Sequence, residues 1–195
     1  MKSPGLRKFV SLIGAALAIA CSPQRDFVKG GEKIFYSDGR FVHLISPAEN
    51  SLSTEENQRV SGAFGERKFS SDAWMLLNDS TMHLILFGDF GNTVAELVYT
   101  GDSVHFKSPW MDAEKIKPEY ILSDIQFCYY PKEALERNFS NAGFSFVEEN
   151  RGNVLVRKLF DGNLPILEME RTEKKISLKN DLRHYSYAIE FERLR

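Results

Sequence analysis

The feature that most constrains the fold is a regular series of short apolar runs separated by turn-forming residues. Five runs rich in β-branched, aromatic and long apolar residues occupy residues 58–69, 73–77, 82–87, 94–99 and 104–107. Segments of Asn, Asp, Ser, Thr and Gly separate them, most clearly at residues 78–80, 88–92 and 100–102. Short runs joined by such segments are typical of consecutive hairpins. The sequence therefore predicts an antiparallel β-meander.

The segment that follows the meander has the period of a helix. Within residues 118–130 the apolar side chains recur at the spacing of one helical face, at Ile121, Leu122, Ile125, Cys128 and Tyr129. Pro131 interrupts this helix because it lacks the backbone N–H that a helix interior needs. A second short helix is predicted over residues 132–139, and strands return at residues 144–148, 154–160, 166–171, 176–179 and 185–194.

Several predicted strands are apolar on both faces. Met82, Leu84 and Leu86 lie on one side of their strand, and Ile85 and Phe87 lie on the other. Two apolar faces indicate burial on both sides of the sheet. A helix could cover one side, and the other side could line a cavity for an apolar ligand. A core completely filled by side chains between sheet and helices is the alternative.

The first twenty residues have the composition of a secretory signal peptide. Lys2, Arg7 and Lys8 precede an apolar run over residues 9–20, which is too short to span a bilayer. Leu-Ala-Ile-Ala-Cys at residues 17–21 resembles the bacterial lipobox, which predicts lipidation of Cys21. An ordinary signal peptide cleaved nearby is the alternative. Ser22 after the cysteine predicts export to the outer membrane, with the protein on its periplasmic face.

These features predict three parts: a lipoprotein signal peptide (1–20), a lipidated tether (21–33) and one folded domain (34–195). Cleavage removes three basic residues and no acidic residue, which lowers the formal net charge from −2 to −5. Such a chain lacks the basic surplus that a nucleic-acid backbone requires. Only Cys128 remains after Cys21, so no internal disulfide is expected. We predict a monomer that does not bind nucleic acid.

The sequence carries no recognisable catalytic or metal-binding motif. The four histidines lack a second ligand at the usual local spacing, and the nucleophile elbow G-x-S-x-G is absent. Asp89-Phe90-Gly91 matches the kinase metal-binding triplet, but no nucleotide-binding loop accompanies it. Cys128 lies on an apolar helix face without a predicted base beside it. We therefore expect no enzyme activity, no cofactor and no metal site.

Several segments resemble the LolA/LolB family of lipoprotein carriers and receptors. Residues 57–64 resemble the start of its first long strand, and the likeness continues through residues 82–97 and the helical pair with its central proline. Residues 121–126, Tyr130-Pro131 and the aromatic last strand also resemble a family of uncharacterised proteobacterial outer-membrane lipoproteins. Together these resemblances cover roughly residues 40–195.

The resemblance implies an α+β fold, an incomplete antiparallel β-barrel with short helices closing a hydrophobic cavity that holds acyl chains. Phe90 stands where the receptor carries an apolar residue that protrudes into the membrane, which implies membrane insertion; folding of Phe90 back onto Phe87 is the alternative. The expected cavity residues are Trp74, Leu76, Met82, Leu84, Leu86, Leu97, Ile121, Ile125, Tyr187, Ile189 and Phe191.

The expected function is that of an outer-membrane-anchored periplasmic lipoprotein that binds acyl chains and aids their transfer to the membrane. Its expected partners are an acyl lipid or lipoprotein cargo and the membrane that holds the N-terminal lipid. Two other functions stay open at this point. One is a non-catalytic adaptor that docks a periplasmic enzyme or transporter, and the other is a lipid-modifying enzyme with a polar triad at the mouth of the cavity.

Overall fold

The structure, a computed structural model, describes residues 25–28, 33–111 and 113–191. The signal peptide and Cys21 predicted from the sequence lie outside the described residues. The strands are β1 (Arg25–Val28), β2 (Lys33–Ser37), β3 (Arg40–His43), β4 (Thr54–Phe64), β5 (Arg67–Leu77), β6 (Met82–Phe87), β7 (Thr93–Tyr99), β8 (Ser103–Lys107), β9 (Ser145–Arg151), β10 (Val154–Asp161), β11 (Leu164–Arg171), β12 (Lys175–Asn180) and β13 (Tyr185–Phe191). The helices are α1 (Ala113–Ile116), α2 (Pro118–Tyr129) and α3 (Lys132–Asn141), with a 3-10 turn at Pro47–Glu49.

Eleven strands form one antiparallel sheet in the order β1-β8-β7-β6-β5-β4-β13-β12-β11-β10-β9. Two hairpin series therefore meet where β4 pairs with β13. Within the described residues the edge strands β1 and β9 are not paired with each other, so the sheet is not closed. Strands β2 and β3 form a separate hairpin. The predicted α+β class, with an antiparallel sheet and short helices, is confirmed.

The first long hairpin differs from its prediction. The apolar run 58–69 was expected to be one strand, but the chain turns at Gly65 and Glu66, between β4 and β5. Gly65 has a φ of +56°, a backbone conformation that glycine adopts without steric cost. In addition, β1 lies inside the predicted tether and pairs with β8, and the sequence did not predict the short helix α1.

The pairing register determines which side chains share the face that α2 covers. Leu77 lies opposite Met82, and Leu84 lies between Met75 and Leu97. The same face continues through β13, where Ile189 lies opposite Val60. We call this side of the sheet the concave face; its apolar residues include Met75, Leu77, Met82, Leu84, Leu86, Leu97, Tyr99, Phe106, Tyr187, Ile189, Leu178 and Met169.

Helix α2 occupies the space in front of the concave face. It contacts both β8 and β11, which are seven strand spacings apart in the sheet. In a flat sheet these strands would lie roughly 34 Å apart, whereas a helix is about 10 Å wide. The sheet must therefore curl around α2. Ten of the twelve α2 residues are buried, including polar Asp124 and Gln126.

Gly62 of β4 has no room for a side chain between the adjacent strands. A Cβ atom at this position would lie 2.6 Å from the backbone oxygen of Ser186 and 2.8 Å from the Phe69 ring. The ring could move because Phe69 is at the surface, but the oxygen belongs to the adjacent strand β13. Only glycine fits this junction of the two hairpin series.

We predict that Gly62→Ala lowers the free energy of unfolding by about 1–3 kcal/mol, because the added methyl group forces β4 and β13 apart. Urea denaturation measures the change. Ser61→Ala, one residue away and on the opposite face, is the control and should change stability by less than about 0.5 kcal/mol. An unchanged midpoint for Gly62→Ala would contradict the close strand approach.

Candidate functional site

Nine of the eleven predicted cavity residues come together between the concave face and α2. Ile121 and Ile125 belong to α2, and the other seven belong to β6, β7 and β13. Four of the nine are buried: Met82, Leu97, Ile125 and Ile189. The remaining five are partly buried and pack against the core: Leu84, Leu86, Ile121, Tyr187 and Phe191.

Trp74 and Leu76 lie on the opposite face of the sheet. The loop of residues 78–81 places Leu77 opposite Met82, so that odd-numbered residues of β5 share a face with even-numbered residues of β6. Trp74 contacts the ring of His83, with 5.1 Å between centroids, and its indole N–H donates to Glu55 Oε1 at 3.1 Å.

The residues predicted to line the cavity did not include Met75, Leu77, Tyr99 and Phe106, all of which are buried on the concave face. Both faces of β5 are apolar, so composition alone does not distinguish them. The length of the loop between β5 and β6 was the available signal, because a hairpin's loop length sets its register.

Polar contacts fix α2 in front of the sheet at several points. The Ile45 N–H donates to Gln126 Oε1 at 3.0 Å, and Gln126 Nε2 donates to the Ile45 oxygen at 2.7 Å. Gln58 Nε2 donates to the Tyr129 hydroxyl at 2.9 Å. Without these bonds the same polar groups would be buried without a partner, which costs about 1–3 kcal/mol for each group.

Arg157 of β10 holds the last turn of α2. Its Nη1 donates to the Phe127 oxygen at 2.7 Å, and its Nε donates to Glu148 Oε2 at 2.8 Å. Burial lowers the pKa of the Arg157 guanidinium, and the Glu148 carboxylate opposes this shift. Removing Glu148 would leave a buried charge without its ionic partner, which is strongly destabilising.

Asp124 of α2 lies in a fully buried group of hydroxyl and aromatic side chains. The Tyr185 hydroxyl donates to Asp124 Oδ2, and Asn180 Nδ2 donates to the Tyr185 hydroxyl at 3.0 Å. Burial raises the pKa of the Asp124 carboxyl to about 7, although the Tyr185 hydrogen bond and the Arg183 charge favour the ionised form. Asp124 therefore titrates near neutral pH inside the core.

Arg183 and Tyr36 cover the Asp124 group from the β2–β3 side. The Arg183 guanidinium lies 4.1 Å from the ring centroid of Tyr120 and 5.2 Å from that of Tyr36. The Tyr36 and Ser123 hydroxyls are hydrogen bonded at 2.9 Å. The separate hairpin is thereby attached to α2, and the Arg40–Asp161 ion pair also attaches it to β10 of the main sheet.

The other candidate chemical groups are dispersed or inert. Burial raises the pKa of the Cys128 thiol to about 12, so the thiol stays protonated at neutral pH. His83 and His105 both pair with Val98 from opposite sides, which places them two strand spacings apart. Among the described residues no three His, Cys, Asp or Glu side chains come together as metal ligands would.

Phe90 lies at the tip of the turn between β6 and β7 and is 97% exposed. The Gly88 N–H donates to the Asn92 oxygen at 2.8 Å, which closes the turn, and Gly91 has a φ of +74°. The alternative in which Phe90 folds back onto Phe87 is therefore wrong. A large apolar side chain projects from a tight, hydrogen-bonded turn into solvent.

The face of the sheet that points away from α2 carries an open groove of about 710 Å³. It extends over β4, β13, β12 and β11, and small residues form its floor. Charged side chains stand around it. The lining on this face consists of Ser61, Ala63, Lys68, Glu168, Glu170, Ser177, Lys179, Ser186 and Ala188.

Within the described residues, no helix has both the length and the apolar character needed to cross a bilayer. The fold defines an α+β protein in which an open antiparallel sheet curls around one helix. The profile of the family described as "Protein of unknown function (DUF3261)" matches residues 55–194, more than two thirds of the chain. The chain belongs to this family. No curated protein matches the sequence.

We predict that Asp124 makes stability fall as pH rises from about 4 to about 7. The carboxyl binds its proton more tightly in the folded protein, with a pKa of about 7, than at its ordinary value of 3.8. Below pH 4 the carboxyl is protonated in both states, so Asp124 does not lower the free energy of unfolding. Above pH 7 it is ionised in both states, and the cost of the buried charge lowers that free energy by its full amount. Asp124→Asn should raise the unfolding free energy at pH 8 by about 2–4 kcal/mol and flatten the profile between pH 4 and 7.

Urea denaturation at a series of pH values measures this effect. Tyr185→Phe is the matched control, because it removes the hydrogen bond that favours ionised Asp124. This variant should move the fall in stability to higher pH. Identical pH profiles for the wild type and Asp124→Asn would contradict a neutral-range titration of Asp124.

Proposed function

We propose that this protein is a LolA/LolB-like lipoprotein, anchored to the periplasmic face of the outer membrane, that binds acyl chains and aids their transfer into the membrane. The observation that carries the proposal is the fully exposed Phe90 at a turn beside a sheet with an apolar concave face. The lipobox-like segment ending at Cys21 supports the membrane anchor. The open antiparallel sheet with helices on one side supports the LolA/LolB-like fold.

The concave face offers the apolar surface that an acyl chain requires. Met75, Leu84 and Leu97 lie side by side across three adjacent strands. Each CH2 group that leaves water for such a surface contributes about 0.8 kcal/mol. A chain of a dozen or more CH2 groups would therefore gain enough free energy to compete with α2 for this surface.

In the proposed mechanism α2 moves away from the concave face when cargo binds. Both of its ends are chain bends: Lys117 precedes it with a φ of +53° and no side-chain cap, and Pro131 follows it. A helix bounded by two such bends can move as a unit when a few φ/ψ angles change. The separate β2–β3 hairpin is hydrogen bonded to α2 through Tyr36 and ion paired to β10 through Arg40 and Asp161, so the Tyr36–Ser123 bond would have to break as α2 moves.

Phe90 supplies the contact with the acceptor membrane. Burial of a phenylalanine side chain in the acyl region is worth about 1.5–3 kcal/mol. A lipid anchor keeps the local concentration of the protein at the membrane high, so that a weak insertion can be repeated many times. Each insertion would open the headgroup layer next to the protein and give the cargo a path into the bilayer.

The first test compares two neighbouring leucine-sized residues of β6. Leu84 lies on the concave face and Ile85 on the opposite face, and both are partly buried. We expect Leu84→Ser to weaken binding of the fluorescent fatty acid cis-parinaric acid by about tenfold or more, and Ile85→Ser to leave it nearly unchanged. Equal effects of the two substitutions would contradict binding on the concave face.

The second test examines the insertion of Phe90 into the membrane. We expect Phe90→Asp to leave the unfolding free energy unchanged, because the side chain is in solvent, and to slow acyl transfer to vesicles about tenfold. Transfer is followed by the loss of fluorescent acyl probe from the protein. The control is Leu52→Asp, an exposed leucine in the segment before β4. Transfer that is equally fast in both variants would refute the insertion.

A non-catalytic adaptor is the second candidate function, and a specific observation favours it. Helix α2 already fills the concave face and is held by hydrogen bonds from Arg157, Ile45 and Gln58, while the 710 Å³ groove on the other face is open. A folded wild-type protein that carries no lipid by native mass spectrometry and binds no cis-parinaric acid would support the adaptor instead.

A further inference from the structure

The two ends of the strands differ in the residues that join them. At one end the connecting segments 78–81, 100–102, 152–153 and 172–174 contain only Asn, Asp, Ser, Thr, Gly, Glu and Lys. At the other end large apolar side chains in solvent lie in or next to most of the connections, although the Gly65-Glu66 turn carries none. These side chains are Phe90 (97% exposed), Trp110 (74%), Leu164 (71%) and Leu182 (43%). Among the described connections at the polar end, Leu52 is the one large apolar residue that is exposed to solvent.

The pairing register shows that the four apolar residues share one strand end. Phe90 lies in the β6–β7 turn, Leu164 begins β11 directly after the β10–β11 turn, and Leu182 lies in the β12–β13 turn. Because neighbouring strands are antiparallel, these alternate turns all lie at the same end of the sheet. We call this end the apolar rim.

Trp110 is held close to the Phe90 turn by a local hydrogen-bond arrangement. Ser108 Oγ donates to the Val94 oxygen at 2.6 Å, and it accepts from the N–H groups of Trp110 at 3.1 Å and Met111 at 2.9 Å. Val94 is the second residue of β7, which begins immediately after the Phe90 turn. The backbone at Trp110 is therefore fixed, and the exposed indole is not a consequence of a loose chain.

An independent feature of the chain, the position of β1, points to the same end. Arg25, the first residue of β1, pairs with Phe106, one residue before β8 ends at the apolar rim. Cys21 precedes Arg25 by four residues. Four residues reach at most about 14 Å, so a lipid on Cys21 would hold a bilayer close to this end of the sheet.

We propose that the apolar rim is a membrane-contacting surface, in which Trp110, Leu164 and Leu182 join Phe90 at the headgroup boundary of the bilayer that holds the N-terminal lipid. This inference rests on the lipid anchor of the proposed function and extends it from one inserted residue to a defined docking orientation. The strands then stand on the membrane with their polar connections away from it. The indole ring of Trp110 has an apolar body and one N–H donor, which suits the interface between acyl chains and headgroups.

The test uses tryptophan fluorescence of the full-length lipidated protein in vesicles of phosphatidylethanolamine and phosphatidylglycerol that contain brominated phosphatidylcholine. The chain has two tryptophans, Trp74 and Trp110. Trp74 lies within β5, hydrogen bonded to Glu55. Trp74→Phe thus reports on Trp110 alone, and Trp110→Phe reports on Trp74 alone. The difference between the wild type and Trp110→Phe gives the Trp110 signal even if Trp74→Phe does not fold.

We expect brominated lipid to reduce Trp110 emission by at least about twofold and to leave Trp74 emission nearly unchanged, since quenching requires contact with the acyl region. Leu164→Asp should weaken this quenching, and Leu52→Asp should not. Equal quenching of both tryptophans, or no quenching of Trp110 in protein that floats with the vesicles, would contradict membrane contact by the apolar rim. If the protein does not float with the vesicles, it has no lipid anchor. This result would refute both the proposed function and the membrane contact of the apolar rim.

Discussion

The structure depends on the burial of α2 against the concave face of the sheet. Eleven strands present an apolar surface that water would otherwise cover, and the second sheet among the described residues is only the two-stranded β2–β3 hairpin. A single helix covers both halves of this surface only because the sheet curls around it. Strands β4 and β13 join the two hairpin series within this sheet, and a side chain at Gly62 would clash with the Ser186 oxygen of β13.

The same burial explains why so many polar groups lie inside the core. A helix surrounded on nearly all sides cannot direct its polar residues to solvent, so each must find a partner in the protein. Gln126 bonds to the backbone of Ile45, Phe127 accepts from Arg157, and Asp124 accepts from Tyr185. These contacts define one position of α2, whereas apolar packing alone would tolerate several. Acyl binding on the concave face would have to break these contacts.

The protonation state of Asp124 makes the packing of α2 against the sheet depend on pH. Its carboxyl is buried and titrates near neutral pH, so the free energy that holds α2 against Tyr185 depends on protonation. Phe90 and the other exposed residues of the apolar rim lie at the end of the strands where β1 begins. The apolar rim and the helix-covered face are thus separate parts of one sheet, and the proposed transfer would require both.

The sequence by itself determined the local elements. The turn residues and apolar alternation specified most strands, the 118–130 period specified α2, and the turn around Phe90 was visible as a break between strands. These features depend on contacts between near neighbours, which the sequence contains directly. The sequence did not determine the turn at Gly65, and it did not determine the inward face of β5, because Ala73–Leu77 is apolar at every position. The tertiary structure decided these points through the register with β6, and it also decided that polar Asp124 and Arg157 lie in the core. It also fixed the segment at Trp110 against the start of β7, because the bond from Ser108 to the Val94 oxygen forms only when β8 pairs with β7. Long-range pairing therefore determined what is buried and what is exposed, because a one-residue change of register moves every side chain of a strand to the other face.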